Sequence, residues 1–422
     1  MVEGWRSLHF LPRPDPEGGA WIKIHGSVMK TETLGRFLAA RLFLSMRSYS
    51  LMLSAPGPET VIDGVSYLYF GGTGYLGLAT HPEVVEAGCD ALRKYGVHSA
   101  TSRGRFGTNP PVLEVERRAA EFFGTEDAFY FGSGYAGNHI LVSATADRME
   151  AVLLDESSHY CVQEAARLPG VPVITFRHGD PEDLRRVAAP WGRVLVMADA
   201  VGPSDGGTAP VTEYLEVLKT REQAVLLLDD AHGFGVLGPD GRGLLDELGL
   251  WPQVNGGESA DSDSPVRLAV CGTLAKALGG FGGVIPGTAA FVEKARSSSH
   301  YFDGSSAPAS AVAGSTAKAL ELVIRQPELR QRLQENITRL RGGLRDLGLN
   351  PPPGRTAHFG VALEKAETMR GIYEALKSKG ILLPYIAAYS GIPPQGILRF
   401  AVFADHMPEQ IDHLLSELRS LL

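Results

Sequence analysis

The sequence predicts an α/β fold in which helices cover both faces of a mostly parallel sheet, followed by a smaller α+β domain. Short apolar runs, among them RVLVMAD, AVLLLDD and RLAVCGT, recur between glycine-rich turns and helix patterns. Their apolar residues are continuous rather than alternating, which is typical of parallel strands buried on both faces. A long helical pattern then begins near Ser310 and is followed by two strand-like segments and a closing helix. Such a change of pattern indicates a second domain of a different class.

The first sixty residues lack this alternation. Prolines interrupt their start at Pro12, Pro14 and Pro16, and a short amphipathic helix is predicted over 34–53. We therefore predict three regions: an N-terminal arm over 1–60, a large domain over 61–305 and a small C-terminal domain over 306–422.

The first helix of the large domain is predicted by the segment HPEVVEAGCDALRKYG. Pro82 stands in the first turn, where proline is tolerated, and Gly96 ends the pattern. The residues predicted to face the core are Val85, Cys89 and Leu92.

Later segments are interpreted in the same way. The polar, acidic stretch over 251–266 predicts an exposed loop. Beyond the long helical pattern, HFGVAL and ILRFAVF predict two strands, and a final helix is predicted from Pro408.

Charge and composition exclude several classes of partner. The chain of 422 residues carries a net charge of -8 and has no basic run, so we expect no nucleic-acid partner. No apolar stretch approaches the roughly 20 residues of a membrane-spanning helix, and the N-terminus lacks the apolar core of a signal peptide. Its cysteines, Cys89, Cys161 and Cys271, match no metal or redox spacing. We therefore predict a cytoplasmic protein without a metal site.

A single lysine, Lys276, stands in the apolar, glycine-rich segment CGTLAKALGGFGGVIPG. Burying an unpaired ammonium group costs several kcal/mol. A lysine tolerates such surroundings when it is bound as an imine to an aldehyde. The alternative is an ordinary surface lysine on a turn.

Two aspartates, Asp229 and Asp230, end the apolar run AVLLLDD, and His232 follows them. In open α/β sheets, ligands bind at the carboxyl ends of the strands, so the Asp229 carboxylate is expected in that crevice. Either aspartate could instead cap a turn or helix, and the histidine could be structural.

Two further strand ends carry polar groups. In AFYFGSGYAGN, the backbone N–H groups of Ser133, Gly134 and Tyr135 open a helix and could bind a phosphate. His159 lies just past another strand end, in DESSHYC. Together with the lysine and the aspartate, these features fit pyridoxal 5'-phosphate, which needs an imine lysine, an acid at its pyridine nitrogen, a phosphate site and an aromatic stacking partner.

From about residue 60 to its end, the chain resembles the α-oxoamine synthase family. The segments that carry the resemblance are YLGLATHPEVVEAG, GSGYAGN, DESSHYCVQEAA, GPSDGGTAP, LLDDAHGFGVLGPDGRG and GTLAKALGGFGG. The resemblance implies a fold-type-I pyridoxal-phosphate transferase with a mostly parallel, seven-stranded sheet. It also implies a homodimer with active sites at the subunit interface.

The resemblance also implies roles for individual residues. The catalytic residues that it implies are Lys276, Asp229, His232 and His159. The cofactor-binding residues that it implies are Ser133, Gly134, Tyr135, His159, Ser204, Asp229, His232, Thr273, Lys276 and, from the neighbouring subunit, Ser305. Arg399 would hold the carboxylate of the amino-acid substrate, and Thr73 would lie beside it.

The implied reaction condenses a small amino acid with an acyl thioester, carried on coenzyme A or on a carrier protein, and releases the amino acid's carboxylate as in most of the family. Two alternatives stay open: another fold-type-I reaction such as aldol cleavage or aminotransfer, and a non-catalytic interaction subunit.

Some positions depart from the family's pattern. Thr73 stands where the family has asparagine, and the segment PYIAAYSGIPPQG replaces a proline-rich one. It places Tyr385 and Tyr389 near the expected entrance. These departures predict substrates other than glycine with acetyl-CoA.

Overall fold

The computed structural model describes residues 49–256 and 265–422 in full, and the backbone of 9–10, 21–24 and 27–30. The chain divides into two compact units, Met1–Leu53 with Ile62–Gly64, and Ser54–Val61 with Val65–Leu422. The first unit contains an antiparallel sheet of β1 (His9–Phe10), β2 (Trp21–Ile24) and β3 (Ser27–Lys30). Residues 34–48 of the helix predicted over 34–53 and residues 257–264 of the loop predicted over 251–266 lie outside the described residues. The described end of the predicted helix, 49–53, is not helical. The described start of the predicted loop is exposed only in part, because Trp251, Val254 and Asn255 are buried.

A small sheet pairs the beginning of the large unit with its C-terminal part. Its strands run in the order β14–β5–β4, and they are β4 (Glu59–Ile62), β5 (Val65–Tyr69) and β14 (Ile381–Leu382).

Seven strands form the central sheet, in the order β6–β12–β11–β10–β9–β7–β8. Their bounds are β6 (Asp127–Phe131), β7 (Ala151–Asp155), β8 (Val173–Phe176), β9 (Arg193–Asp199), β10 (Gln223–Asp229), β11 (Val266–Thr273) and β12 (Gly283–Gly287). The five strands from β11 to β8 are parallel, and β12 is antiparallel to both of its neighbours. Buried side chains form an apolar cluster on each face of this sheet. The predicted fold class is confirmed.

Helices cover the sheet and build the C-terminal part. Those before β11 are α1 (Pro82–Tyr95), α2 (Pro110–Phe123), α3 (Gly137–Thr145), α4 (Tyr160–Ala165), α5 (Pro181–Ala188), α6 (Val211–Leu218) and α7 (Leu244–Glu247). Those after it are α8 (Ala289–Ser297), α9 (Ser310–Arg325), α10 (Glu328–Asp346), α11 (Ala366–Ser378) and α12 (Pro408–Arg419). Single 3-10 turns occupy Leu78–Thr80, Gly134–Ala136 and Trp251–Gln253. No helix in the described part of the chain is both long and apolar enough to cross a membrane.

Helix α1 begins and ends where the sequence predicts, but it buries a different face. The predicted core residues Val85 and Leu92 are 50% and 43% exposed. The residues that α1 buries are Val84, Gly88 and Ala91. Small residues on that face let α1 approach α9 closely, since a Cβ on Gly88 would stand 2.3 Å from the Ser315 hydroxyl. The apolar residues on both faces of α1 have the helical period, and the face whose small residues allow close packing on α9 is the one that is buried.

The C-terminal strand predictions are confirmed. Strands β13 (His358–Val361), β16 (Ile397–Ala401) and β15 (Tyr385–Ile386) form an antiparallel sheet in the order β13–β16–β15. The domain boundaries after residues 60 and 305 stay predictions, because the second compact unit contains both large and small parts.

Candidate active site

A cavity of about 270 Å³ lies at the carboxyl ends of the parallel strands. The residues that line it are Ser133, Gly134, Tyr135, His159, Cys161, Asp199, Pro203, Asp229, Ala231, His232, Thr273, Ala275, Lys276, Phe281 and Gly282. Eight of the ten sequence-predicted cofactor residues are in this set; Ser204 and Ser305 are not. The sheet brings them together because parallel strands all end at the same edge.

Asp229 ends β10 and is buried, with its carboxylate at the cavity. The Asn138 amide donates to Oδ2 at 2.6 Å, and the backbone N–H of Ala231 donates to Oδ1 at 3.0 Å. Asp199, opposite Asp229 on β9, also lines the cavity. Burial raises the pKa of Asp199 well above its usual value, and the negative charge of Asp229 adds to that effect. Both effects favour the protonated form of the Asp199 carboxyl.

Asp230 has a different role from its neighbour. Its side chain is fully buried outside the cavity, and Oδ2 accepts the backbone N–H of Leu244 at 2.6 Å. Among the described residues, Oδ1 has no hydrogen-bond partner. Burial raises the pKa of Asp230 to about 7. Asp230 thus binds the backbone at the start of α7, and of the two neighbouring aspartates Asp229 is the one that faces the cavity.

Lys276 lies in the turn between β11 and β12, half-buried in the cavity wall. Its Nζ stands 2.9 Å from Nε2 of His232. In the described ranges, no carboxylate forms an ion pair with that nitrogen, although the charges of Asp229 and Asp199 act on it from farther away. Burial lowers the pKa of the ammonium group, which favours the neutral, nucleophilic amine.

Behind His232 lie two residues that the sequence analysis missed, Tyr75 and His358. The Tyr75 oxygen is 2.9 Å from Nδ1 of His232 and 3.1 Å from Nδ1 of His358. All three side chains are buried. No local signal could have found this cluster, because Tyr75 is 157 and 283 residues from its two partners.

One corner of the cavity suits an anion. Ser133 and Gly134 lie at the 3-10 turn that leads into α3, and the Ser133 hydroxyl accepts the N–H of Tyr135 at 3.3 Å. A Cβ on Gly134 would stand 2.7 Å from Cβ of Thr273, so only glycine lets these two segments come this close. The Thr273 hydroxyl accepts the N–H of Ala275 at 3.1 Å. The corner therefore joins a hydroxyl to the start of a helix, as anion sites do.

His159 covers another wall of the cavity. Its backbone N–H donates to Oδ2 of Asp199 at 2.7 Å, which fixes the residue at the start of α4. Its Nδ1 accepts the N–H of Cys161 at 3.3 Å and is 2.9 Å from that residue's Sγ. Burial lowers the pKa of His159, so the ring is a neutral surface on which an aromatic cofactor can stack.

Two tyrosines lie beside His159. Tyr389 has its ring centroid 6.3 Å from that of His159 and 5.3 Å from that of Tyr160, the latter in an edge-to-face arrangement. Tyr385 is not part of this group, because its hydroxyl donates to the carbonyl of Gln395 at 2.9 Å. Of the two tyrosines that the sequence placed near the entrance, the structure brings Tyr389, and not Tyr385, beside His159.

Ser390 holds the tyrosine segment against the edge of the central sheet. Its hydroxyl lies 2.9 Å and 2.8 Å from the carbonyl oxygens of Ser157 and Ser158, and accepts from the amide of Gln163 at 3.2 Å. The hydroxyl of Ser204 donates to the Ser390 carbonyl at 2.8 Å. Ser204 therefore binds this segment and does not reach the cavity, whose wall there is Pro203.

The remaining predicted residues lie outside the cavity. Arg399 on β16 is buried, and its guanidinium donates to the carbonyl of Gly72 at 3.3 Å. Within the described residues, it has no carboxylate partner within 4.0 Å. Thr73 follows Gly72 directly, so the structure brings this pair of predicted residues close together. Ser305 is exposed, and its hydroxyl donates to the carbonyl of Tyr301 at 2.8 Å.

The chain matches known proteins over most of its length. The sequence profile of the aminotransferase class I and II family matches residues 68–418. The chain is 34% identical to 8-amino-7-oxononanoate synthase 1 of Polaromonas sp. (strain JS666), over 89% of this chain and 92% of that protein. It is 33% identical to 8-amino-7-oxononanoate synthase of Herminiimonas arsenicoxydans, over 93% of this chain and all of that protein.

Solved structures of similar shape include serine palmitoyltransferases. That of Sphingomonas wittichii gives a TM-score of 0.78 at 27% identity, covering 92% of this chain and 96% of that one. A serine palmitoyltransferase structure with its PLP internal aldimine gives a TM-score of 0.79, also at 27% identity, covering 93% of this chain and 97% of that one.

Proposed function

We propose that this chain, which belongs to the aminotransferase class I and II family and, within it, to the α-oxoamine synthases, catalyses a decarboxylative condensation. Its substrates would be a small amino acid and a long-chain acyl thioester. The general reaction class follows from the family: the protein is a pyridoxal-phosphate-dependent acyltransferase that joins an amino acid to an acyl thioester. The choice of substrates and the loss of the carboxylate are the proposal.

The cavity residues fit pyridoxal phosphate. Lys276 would bind its aldehyde, Asp229 its pyridine nitrogen, and the corner at Gly134 and Thr273 its phosphate, with His159 over the ring. The negative charge of Asp229, held in place by the Asn138 amide, favours a protonated ring nitrogen. When bound, the cofactor supplies an electron sink that stabilises negative charge at the substrate's Cα.

Arg399 supports the amino-acid half of the proposal. Within the described residues, the buried guanidinium bonds the Gly72 carbonyl and the Tyr75 hydroxyl but no carboxylate, so it can bind a substrate carboxylate through two parallel hydrogen bonds. Thr73, next to that carbonyl, has a shorter side chain than the amide usual in the family. This leaves room for a substrate side chain, and we propose alanine or serine rather than glycine.

Lys276 is the proposed base. With cofactor and amino acid bound, the Lys276 amine would be the group placed to take the Cα proton, because its lowered pKa keeps it unprotonated more readily than an exposed lysine. His232 at 2.9 Å holds that nitrogen in position.

The tyrosines beside His159 support the acyl half. Tyr160 is 46% exposed and Tyr389 is 39% exposed, so the pair offers an accessible aromatic wall next to the cofactor site. Apolar walls with polar tips suit an acyl chain or its pantetheine arm. We propose that this wall selects a donor longer than acetyl.

A homodimer is proposed as the active form. The exposed face of α1 adjoins Phe281, which is 55% exposed and also lines the active-site cavity. Between them lies an apolar groove of about 360 Å³. A second copy covering this face would bury Val85 and Leu92 and could bring its own Ser305 to the phosphate corner. Leu92→Arg should then shift the sedimentation of the protein from dimer to monomer, while an arginine at the exposed Leu168 on the α4 side should not.

A cytoplasmic location is proposed as well. All three cysteines are free thiols, and two of them are buried beside the cavity, where a reducing compartment would keep them so.

The observation that carries the proposal is the Lys276 amine, which lies in one cavity with Asp229 and an anion corner. The test is to titrate the purified yellow enzyme with glycine, alanine and serine and to follow the cofactor's absorbance. Products are then identified with donors from acetyl to palmitoyl, on coenzyme A and on a carrier protein. An amino ketone formed only with both substrates supports condensation, and a product formed without a thioester contradicts it.

A further inference from the structure

Four side chains form one hydrogen-bonded series from the active-site lysine into the protein. Nζ of Lys276 is 2.9 Å from Nε2 of His232, whose Nδ1 is 2.9 Å from the Tyr75 oxygen. That oxygen is 3.1 Å from Nδ1 of His358, whose Nε2 is 2.9 Å from the carbonyl oxygen of Gly202. The three members between lysine and carbonyl are at most 6% exposed, so the bonds among them are shielded from bulk water.

The far end of the series fixes the direction of its bonds. The carbonyl of Gly202 can only accept, so Nε2 of His358 must carry a hydrogen. Burial lowers the pKa of His358 well below its usual value, and the charge of Arg399 lowers it further. The ring is therefore neutral, its Nδ1 is bare, and the single hydroxyl hydrogen of Tyr75 must point to it.

The same reasoning continues to the lysine. Because the Tyr75 hydrogen is already donated to His358, its oxygen accepts from His232, whose Nδ1 must then carry a hydrogen. Burial lowers the pKa of His232 well below its usual value, and Lys276 lowers it too. The other groups that act on His232 are His358, Arg399 and His159, which all oppose a positive charge there.

We propose that Tyr75 and His358 are positioning residues that hold His232 in its Nδ1–H tautomer, so that its bare Nε2 accepts a hydrogen from Lys276. A lysine that acts as a base begins as an amine and becomes an ammonium group when it takes the Cα proton. A bare nitrogen at hydrogen-bonding distance can accept from both forms. The opposite tautomer would direct an N–H at the ammonium group and repel it.

The tautomer can be measured directly by nitrogen NMR of the enzyme labelled with 15N-histidine. The His232 signals are assigned by their loss in His232→Asn, and spectra are taken with the cofactor bound and after its removal. A protonated Nδ1 and a bare Nε2 are expected in both forms. A protonated Nε2 in either form would overturn the proposal. This readout does not depend on substrates, so failure of the proposed function would leave it interpretable.

His358→Leu tests the origin of the tautomer. Without His358, the Tyr75 hydroxyl can donate only to Nδ1 of His232, which should reverse the tautomer. The matched control is His406→Leu, since His406 is also buried and, among the described residues, its ring nitrogens bond only to the backbone of Phe403 and Tyr69. The proposal requires a reversed His232 in the first variant and an unchanged one in the control. A His232 unchanged in both would contradict it.

Tyr75→Phe gives a second, independent test should His358→Leu fail to fold. It removes the acceptor for Nδ1, so His232 should show both tautomers, and a single Nδ1–H tautomer would contradict the proposal. In turnover, either variant should lower kcat roughly tenfold or more. The KM for the amino acid should change less than about threefold in His358→Leu; it is not a readout for Tyr75→Phe, because the Tyr75 hydroxyl also bonds Arg399. Because Tyr75 and His358 both act through His232, the kcat of the double variant should be no lower than that of the slower single variant. If the two decreases in kcat multiply, the residues act independently and the proposal is contradicted.

Discussion

Asp230→Asn should make the protein more stable at neutral and alkaline pH, although it removes a carboxyl group that accepts a backbone hydrogen bond. The native carboxyl is fully buried, one of its oxygens has no partner among the described residues, and its pKa is raised to about 7. Burial is the main cause, and Asp229 next to it adds repulsion. Asparagine keeps the oxygen that binds Leu244 and cannot ionise.

The sign and size follow from proton linkage. Between the ordinary carboxyl pKa of 3.8 and about 7, the folded protein binds this proton and the unfolded chain does not. The contribution of the protonated carboxyl is therefore fully present below pH 3.8 and is lost as the pH rises through about 7. A difference of about 3 pKa units corresponds to roughly 4 kcal/mol, which is the upper limit for the variant's gain in relative stability over that range.

The assay is urea unfolding of both proteins between roughly pH 5 and pH 8, with the difference in free energy plotted against pH. The free energy of unfolding of the variant, relative to that of the native protein, should increase as the pH rises and become constant above about pH 7. Asp240→Asn, in the same loop but 58% exposed, is the control and should differ from the native protein by less than about 0.5 kcal/mol throughout. Parallel curves for the native protein and Asp230→Asn would refute the reasoning.

The remaining predictions concern the cofactor and the amino acid. Lys276→Ala should abolish the covalent link to the cofactor, so that borohydride no longer fixes it to the protein; an equally stable link would show that another residue carries it. Asp229→Asn should retain much of the cofactor and lower kcat roughly tenfold or more, because a neutral amide no longer favours a protonated ring nitrogen; a milder effect than that of Asp230→Asn would reverse the assignment. Arg399→Leu should weaken amino-acid binding by about 1.5–3 kcal/mol, or one to two decades in Kd measured by absorbance titration; unchanged affinity in a folded variant would point to a purely structural arginine.

The sequence predicted the parts of the site that stand at strand ends. Asp229, His159 and Lys276 each follow a recognisable buried run, and the geometry of parallel sheets places all such ends at one edge. Tyr75 and His358 could not be predicted in this way, because their partners are far away in the sequence and only the packed fold brings them together.

Other misses have a different cause. Ser204 and Pro203 are neighbours on one loop, and a one-residue difference in side-chain direction decides which of them reaches the cavity. On α1, hydrophobic periodicity indicates that a face is apolar but not what covers it. In the structure, the face of α1 with Val85 and Leu92 is exposed, and the face with the smaller residues packs on α9. The periodicity of the sequence could not distinguish these two faces.

The hydrogen bonds of Ser390 attach Tyr389 to a different part of the fold from Arg399, although the two residues are close in the sequence. Only three residues lie between β15 and Ser390, yet Ser390 is tied to the backbone at Ser157 and Ser158. The position of Tyr389 is therefore fixed by the central sheet, whereas that of Arg399 is fixed by the C-terminal sheet. A tilt of the C-terminal sheet would move the proposed carboxylate-binding residue and leave the proposed acyl-binding wall in place. Substitutions could thus change the specificity for acyl length without changing the specificity for the amino acid, and the reverse.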